Sequence, residues 1–287
     1  MKIQHFYDTR TGTISYVVAD DESKIAIVID PVMDYDSKAG RVFFESAEEM
    51  AAWIDAGGYR VPYALDTHPH ADHMTAMPFF KERYGSKTVI GRGFVQVQKN
   101  FADLFDLGPE FPRDGSQYDI LLDDDEVLEV GPFDVRAIST PGHTPASMSF
   151  VIGDAVFVGD LLFQPDSGTA RCDFPGGSSA EIYDSIQRIY ALPSATRVFT
   201  LHDYQPGGRP LAFESTVDEQ RRSNVHLREG VSKEAFVKLR NTLEAGKPAP
   251  NLILPALQVN LRGGHLPEPA SNGIRYLKIP LNQFGGA

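Results

Sequence analysis

The sequence feature that most constrains this chain is the run T-H-P-H-A-D-H at residues 67–73. Within six residues it carries four potential metal ligands: His68, His70, Asp72 and His73. Each buried polar group without a partner would cost roughly 2–7 kcal/mol, so four of them cannot simply belong to an apolar core. Imidazole and carboxylate together suit zinc, iron and manganese. The run therefore predicts a metal site, and a fold that can bring further ligands to it.

Three more candidate ligands follow short β-rich runs farther along the chain: His143, Asp160 and His202. His68 itself follows a predicted strand at residues 61–67. Side chains at strand ends and in the loops beyond them can converge on one rim of a sheet scaffold. The sequence therefore predicts a mononuclear or dinuclear metal centre at such a rim.

Short strands dominate the first two thirds of the chain, and helices are interspersed. Apolar runs bounded by turn residues predict strands at 15–19, 24–29, 61–67, 88–90, 126–130, 133–139, 147–152, 155–158 and 197–201. Helical periodicity predicts helices at 46–56, 74–84, 179–191, 216–228 and 233–245. The stretch 252–261 is interpreted as strand or loop.

The 287 residues, of which 42% are hydrophobic, are enough for one domain with a large core. We expect a single domain at 1–287. Residues up to about 205 form its core with the metal motifs. Residues from about 206 to 287 supply C-terminal helices and a closing strand or loop that completes the substrate pocket.

Charge and cysteine content narrow the partners and the compartment. The formal net charge of −12 argues against nucleic-acid binding. The single cysteine, Cys172, excludes an intrachain disulfide and favours a reducing compartment, where such a thiol is most often inert. No signal peptide or membrane span is apparent, so the chain is expected to be soluble and cytoplasmic. His5, His226 and His265 match no motif and are interpreted as surface or packing residues.

The order and spacing of the ligands resemble the metal signature of the metallo-β-lactamase superfamily. The match runs from about residue 12 to 205 and comprises I-D-P-V (29–32), H-x-H-x-D-H (68–73), P-G-H-T (141–144), G-D (159–160) and the later His202. This resemblance implies an α/β fold, an αββα sandwich of two mixed sheets flanked by helices, with the metal site at one edge. In dinuclear hydrolases of the superfamily, the positions matching His68, His70 and His143 hold one metal. Those matching Asp72, His73 and His202 hold a second metal, and Asp160 bridges.

A narrower resemblance, to persulfide dioxygenases of the human ethylmalonic-encephalopathy protein type, covers nearly the whole chain. It rests on segments 15–32, 66–75, 166–177, 202–204, 215–221 and 255–264. The length of the segment between Tyr84 and Asp134 is more similar to the bacterial second type of that family. The chain departs from the mitochondrial form at Ala170-Arg171-Cys172, where that form has Gly-Arg-Thr.

The narrower resemblance implies one Fe(2+) per chain, held by His68, His143 and Asp160 as a two-histidine, one-carboxylate triad. Four further residues of the catalytic site would orient ligands and hold water: His70, Asp72, His73 and His202. The implied substrates are glutathione persulfide and O2, and the products are sulfite and glutathione. Substrate contacts are expected from Arg171, Tyr204, Asn260 and Arg262, with Arg171 forking onto a carboxylate.

The main alternative is a thioester hydrolase of the glyoxalase II kind, with one or two Zn(2+) ions, in which a metal-activated water attacks a carbonyl. Glyoxalase II carries a helical C-terminal domain, whereas residues 252–261 here are interpreted as strand or loop. That difference disfavours the hydrolase. A non-enzymatic metal or redox sensor would not need so many ligand groups around an open site. Whether the chain forms a homodimer is left open by the sequence.

Overall fold

The computed structural model describes residues 1–283 and contains fifteen strands, seven α-helices and a short 3-10 helix (Pro206–Gly208) within that range. The strands in chain order are β1 (Lys2–Asp8), β2 (Thr13–Asp20), β3 (Ile25–Ile29), β4 (Val32–Asp36), β5 (Arg41–Phe43), β6 (Arg60–Leu65), β7 (Met74–Thr75), β8 (Lys87–Gly91), β9 (Ile120–Leu122), β10 (Val127–Val130), β11 (Phe133–Ser139), β12 (Met148–Ile152), β13 (Ala155–Phe157), β14 (Arg197–Phe199) and β15 (Glu214–Thr216). The helices are α1 (Glu45–Gly57), α2 (Met77–Tyr84), α3 (Phe94–Ala102), α4 (Ser179–Tyr190), α5 (Val217–Ser223), α6 (Lys233–Glu244) and α7 (Ile253–Asn260).

The strands form two six-stranded mixed sheets and one small sheet. The first sheet has the order β1-β2-β3-β6-β8-β9, antiparallel up to β3 and parallel from β3 onward. The second has the order β10-β11-β12-β13-β14-β15, with one parallel pair, β13 and β14. A three-stranded sheet, β5-β4-β7, lies beside them.

The side-chain alternation of β2 shows how the layers are stacked. Val17 and Ala19 belong to the buried cluster that includes residues of α1, α2 and α7, whereas Tyr16 and Val18 pack in the cluster shared with the second sheet. The period of two in a strand sends successive side chains to opposite faces. On the far face of the second sheet, Val156 packs with apolar residues of α4. The layers are therefore helix, sheet, sheet, helix, which confirms the expected αββα sandwich.

Local sequence accounts for where several helices begin. Ser178 caps α4 by accepting the Glu181 backbone N–H, and Thr216 with Glu219 forms a capping box at the start of α5. Ser232 caps α6 in the same way. None of the helices within residues 1–283 combines the length and the apolar character needed to cross a bilayer.

The interpretation of residues 252–261 as strand or loop was wrong, because α7 (Ile253–Asn260) occupies most of this stretch. A short apolar run buried on several sides does not reveal its period, so helix and strand cannot be separated by pattern. Pro255 also reads as a helix breaker, but it lies in the first turn, where the missing N–H has no helical partner to lose. The predicted closing strand is therefore a helix.

Smaller differences affect other boundaries. The helix predicted at 74–84 begins at Met77, since Met74 and Thr75 form β7. The helix predicted at 216–228 ends at Ser223. Helix α3 and strands β1, β4, β5, β7, β9 and β15 were not predicted. The last four residues of the predicted 1–287 domain lie outside the described residues, and its single-domain organisation stays a prediction.

Candidate metal centre

The topology brings the ends of four strands to one edge of the sandwich. β13 and β14 are parallel neighbours, so Asp160 and His202, which follow them, lie at the same edge. β3 and β6 are parallel as well, and this brings Asp30 beside His68. At this edge the backbone N–H of Met148 donates to Thr67 O at 2.9 Å and links the two sheets. The site is therefore built on strand ends of both sheets.

The candidate ligands form several groups, some of which share a residue. Within each group, the ligand atoms lie within 4.8 Å of one another. One group contains His68, His143 and Asp160. Further groups are His70 with Asp72 and His73, and Asp72 with Asp160 and His202. All seven ligands predicted from the sequence are thus brought together.

Four buried atoms of this cluster have no hydrogen-bond partner within the described chain: His68 Nε2, His70 Nδ1, His73 Nε2 and Asp160 Oδ1. A buried polar atom left unpaired costs about 1–3 kcal/mol, and native structures contain few of them. Imidazole nitrogens and a carboxylate oxygen are ligands that first-row metals accept. The donor set and its unpaired atoms therefore fit a bound metal ion.

The other ring nitrogen of each histidine is held by a neighbour. His143 Nδ1 donates to Arg171 O at 2.6 Å, and His202 Nδ1 donates to Gly12 O at 2.9 Å. Thr67 Oγ1 lies 3.0 Å from His68 Nδ1. Such contacts fix the ring orientation and leave the opposite nitrogen free for a metal.

Asp160 presents its two carboxylate oxygens to different neighbours. Oδ2 lies 3.9 Å from His68 Nε2 and 3.6 Å from His143 Nε2. Oδ1 lies 3.5 Å from His202 Nε2, and that nitrogen is 3.2 Å from Asp72 Oδ2. The geometry therefore allows one metal on the His68 and His143 side, and also a second metal bridged by Asp160.

The surroundings of His68 and His202 shift the pKa values of the two rings in opposite directions. Burial lowers the pKa of His68 well below its usual value, and the neighbouring His70 and His143 lower it further. Burial would also lower the pKa of His202, but Asp160 and Asp72 outweigh it and raise that pKa to about 9. Burial thus favours the neutral form of His68, whose lone pair a metal needs, whereas Asp160 and Asp72 favour the protonated form of His202.

Asp30 and Asp66, which sequence reasoning did not select, hold His70. Asp30 Oδ1 accepts from His70 Nε2 at 3.1 Å and from the Thr67 backbone N–H at 2.7 Å. Asp66 Oδ1 lies 3.7 Å from the same nitrogen of His70. Asp30 has a φ of 50°, a conformation that costs energy in residues with a side chain and that clusters at functional sites. Its position in the I-D-P-V match was the available signal.

A cavity of about 430 Å³ opens onto the metal cluster. Asp72, His143, Asp160 and His202 line its inner end, and Phe163, Phe174 and Tyr204 add aromatic surface. Its remaining walls include three basic side chains, Arg171, Arg240 and Lys247, and the imidazole of His226. The volume lies within the range typical of small-molecule sites.

Two of the four predicted substrate contacts line this cavity. The Arg171 guanidinium is already engaged: Nε and Nη2 each donate to Asp173 at 2.6 Å, and Nη1 donates to Pro248 O at 2.8 Å. The Tyr204 side chain is 66% exposed, and its ring stacks beside that of His202 with centroids 6.2 Å apart. A substrate carboxylate would therefore have to compete with Asp173 for Arg171.

The other two predicted contacts, Asn260 and Arg262, are not among the described residues that line the cavity. Asn260 is fully buried, and its amide nitrogen donates to His70 O and His73 O, each at 2.8 Å. It braces the ligand loop, residues 67–75, instead of facing substrate. Arg262 lies over the Phe111 ring and donates to Gln258 O.

His226, interpreted from the sequence as a surface or packing residue, lies in the cavity wall. Its Nδ1 accepts the Thr169 backbone N–H at 2.9 Å. Burial and the nearby Arg240 lower its pKa to about 4, so the ring is neutral near pH 7. An isolated histidine without a motif offers no signal for such a position.

Comparison with known proteins identifies relatives for almost the whole chain. The model of the metallo-beta-lactamase superfamily matches residues 8–202. A probable metallo-hydrolase of Burkholderia pseudomallei is 49% identical over 98% of this chain and 99% of its own length. Glyoxylase B2 of Dictyostelium discoideum is 43% identical, covering 98% of this chain and 97% of its own length. Human mitochondrial persulfide dioxygenase ETHE1 is 30% identical, covering 91% of this chain and 88% of its own.

Solved structures give the same picture of the fold. The crystal structure of ETHE1 from Myxococcus xanthus matches with a TM-score of 0.74 and 27% sequence identity. The match covers 92% of this chain and 100% of that chain.

Proposed function

Because the chain belongs to the metallo-beta-lactamase superfamily, we propose that it is an iron(II)-dependent persulfide dioxygenase. The net reaction is glutathione persulfide, O2 and water giving glutathione, sulfite and two protons. The terminal sulfur is oxidised and O2 is reduced. The observation that carries the proposal is the buried group of His68, His143 and Asp160, two histidines and one carboxylate within 4.8 Å. A facial triad of this composition is typical of non-haem iron(II) oxygenases.

In this proposal His68 Nε2, His143 Nε2 and Asp160 hold one iron ion. When bound, the iron supplies open coordination positions at which thiolate sulfur and O2 can meet. The chain itself orients and encloses this site. The Arg171 carbonyl and Thr67 hold the two histidine rings, while Asp30 holds His70 beside them. His70, Asp72, His73 and His202 then serve to orient ligands and water.

The substrate proposal rests on the cavity wall. A persulfide whose sulfur reaches the inner end would have its peptide between the aromatic side chains and the basic residues of the wall. Arg171 and Tyr204 remain the proposed contacts at this wall. Asn260 is proposed to act from behind the ligand loop through His70 O and His73 O, and the contacts of Arg262 give it no part in substrate binding. The 30% identity to human persulfide dioxygenase supports this assignment of substrate. We propose a cytoplasmic location, which a single cysteine fits.

A thioester hydrolase of the glyoxalase II kind is the second candidate. It is favoured by the relatives named metallo-hydrolase and glyoxylase B2, which are more similar in sequence than ETHE1. The group Asp72, Asp160 and His202 offers ligands for a second ion. The helical α7 also removes one argument against this candidate. Metal ions held there would supply an activated water, the nucleophile that thioester hydrolysis needs.

Parallel assays of one preparation distinguish the two reactions. Protein purified anaerobically is assayed for O2 uptake and sulfite release with glutathione persulfide, and for hydrolysis of S-lactoylglutathione. The proposal predicts one O2 consumed for each sulfite formed, and thioester hydrolysis at least about 100-fold slower. Rapid thioester hydrolysis without persulfide-dependent O2 uptake would establish the second candidate instead.

A further inference from the structure

Helix α6 carries a buried ion pair that faces the loop beside the metal centre. Arg240 and Glu244 are only 2% and 8% exposed. Arg240 Nε and Nη2 donate to Glu244 Oε1 at 2.9 and 2.5 Å. Burying two charges carries a desolvation penalty that their attraction often fails to offset, so a buried pair is weak evidence of a stabilising role. The contacts of this pair point to a different role.

The pair hydrogen-bonds to the loop at both ends of the four-residue segment 169–172. Arg240 Nη1 donates to Thr169 O at 3.1 Å, and the Cys172 backbone N–H donates to Glu244 Oε1 at 3.0 Å. Glu244 Oε1 therefore accepts both from its own helix and from the loop. The two side chains fix the backbone immediately before and after residues 170–171.

The carbonyl between these two anchors contacts a candidate metal ligand. Arg171 O accepts from His143 Nδ1 at 2.6 Å. That contact places the ring proton on Nδ1 and leaves Nε2 free, 3.6 Å from Asp160 Oδ2. The path from α6 to the metal centre is thus Glu244 and Arg240, then the loop backbone, then His143.

We propose that Arg240 and Glu244 are positioning residues that set the tautomer and orientation of His143 through the Arg171 carbonyl. Neither residue would hold the metal itself. The inference rests on the proposed role of His143 as a ligand and is independent of whether the reaction is oxygenation or hydrolysis. It assigns to α6, about seventy residues beyond the loop in sequence, an influence on metal affinity that passes through the loop backbone.

The test removes the hydrogen bonds from Arg240 and Glu244 to the loop without leaving a buried charge. In the double variant Arg240→Met/Glu244→Leu, apolar side chains of similar size replace the pair, a change that buried pairs often tolerate. Zn(2+) and Co(2+) affinities are measured by competition with a chelator, and the His143 tautomer is read by 15N NMR of the metal-free protein. We expect metal affinity about 10- to 100-fold weaker, the range known for partners of ligating histidines, and a mixture of His143 tautomers.

A matched control removes a different ion pair of α6. Asp184→Asn removes the ion pair between Lys233 of α6 and Asp184 of α4, at 2.5 Å, without touching the loop. It should leave both metal affinity and the tautomer of His143 unchanged. If the double variant does not fold, Glu244→Asp keeps a charge for Arg240 but withdraws the oxygen from the Cys172 N–H. It should then show the same loss of affinity in smaller degree.

The inference would be overturned if the folded double variant kept wild-type metal affinity and His143 stayed protonated on Nδ1. The same result for Glu244→Asp would also overturn it. Failure of the metal-site proposal itself looks different. In that case His143→Ala would bind metal as tightly as the wild type, while the tautomer measurement on metal-free protein would still report on the hydrogen bonds from α6 to the loop.

Discussion

The ligand loop (residues 67–75) and the cavity wall (residues 166–174 and 245–250) differ in how their side chains are held. In the ligand loop His68 and His70 are almost fully buried, and Asp30, Thr67 and other neighbours fix their rings. In the cavity wall, by contrast, Arg171 pairs with Asp173 of its own segment and Lys247 is exposed. The side chains of the ligand loop are already oriented for a metal ion. The cavity wall instead carries Arg171 and Lys247, whose charged groups a substrate would have to draw away from Asp173 or from water.

This difference predicts which property, metal content or KM, a substitution in each region should change. Changes in the ligand loop should alter metal content, because one ring nitrogen in each of its three histidines has no hydrogen-bond partner within the described chain. Changes in the cavity wall should alter KM at constant metal content.

The largest effect is expected from Asp160→Ala. This change removes the single anionic ligand of the group with His68 and His143, so iron affinity should fall by more than about 100-fold, beyond the range for residues that act through a ligand. Elemental analysis and persulfide-dependent O2 uptake check this. An Asp160→Ala protein that retained stoichiometric iron would place the metal elsewhere in the chain.

A smaller effect is expected from His70→Ala than from His68→Ala. In our division His68 binds iron directly and His70 supports the site, so His70→Ala should lose about 10- to 100-fold in iron affinity but still bind some iron. His68→Ala should lose nearly all. Iron content after gel filtration under identical conditions compares the two variants. Equal loss in both would show that His70 is itself a ligand, as in the dinuclear arrangement.

Arg171→Ala should act on substrate alone. If its guanidinium forks onto a substrate carboxylate, losing about 1.5–3 kcal/mol raises KM by about one to two powers of ten at constant iron content. Arg171→Lys should not restore KM fully, since an ammonium group cannot fork onto both oxygens.

The matched variant for Arg171 is Asp173→Ala. It releases the guanidinium from the carboxylate that holds it at 2.6 Å and should lower KM or leave it unchanged. If Asp173→Ala raised KM as much as Arg171→Ala, the ion pair would be structural. The exposed Lys247 would then be the next candidate for substrate binding.

The smallest effect is expected at Cys172. Burial raises the pKa of its thiol to about 12, and the neighbouring Glu244 contributes in the same direction. Because only the thiolate is a strong nucleophile, alkylation of the native protein at pH 8 should be far slower than after unfolding. Cys172→Ser should change O2 uptake less than about twofold. Rapid alkylation of the folded protein that also abolished activity would contradict this account.

The grouping of the seven candidate ligands could be predicted from the sequence, whereas most of the cavity wall could not. His68, His70, Asp72 and His73 share one short motif, and the remaining ligands follow strands whose ends meet at one edge. The substrate wall joins segments such as 166–174 and 245–250, whose proximity is a property of tertiary packing. No local pattern reveals that Arg171 pairs with Asp173 or that His226 joins this wall.

The fold shows the same limit. Strands such as β11, with alternating burial, were predicted with the observed bounds. By contrast α7 is short, mostly apolar and contains Pro255, so its period could not be recognised. This error affected the functional interpretation, because it placed Asn260 in a substrate loop. In the structure Asn260 lies at the end of the buried helix α7, where it braces the ligand loop.

The most direct test of the central claim is anomalous diffraction at the iron edge from crystals of anaerobically purified protein. The account predicts one iron peak for each chain, bound by His68 Nε2, His143 Nε2 and Asp160 at about 2.0–2.3 Å. Two fully occupied metal peaks bridged by Asp160, with Asp72 and His202 on the second, would contradict it.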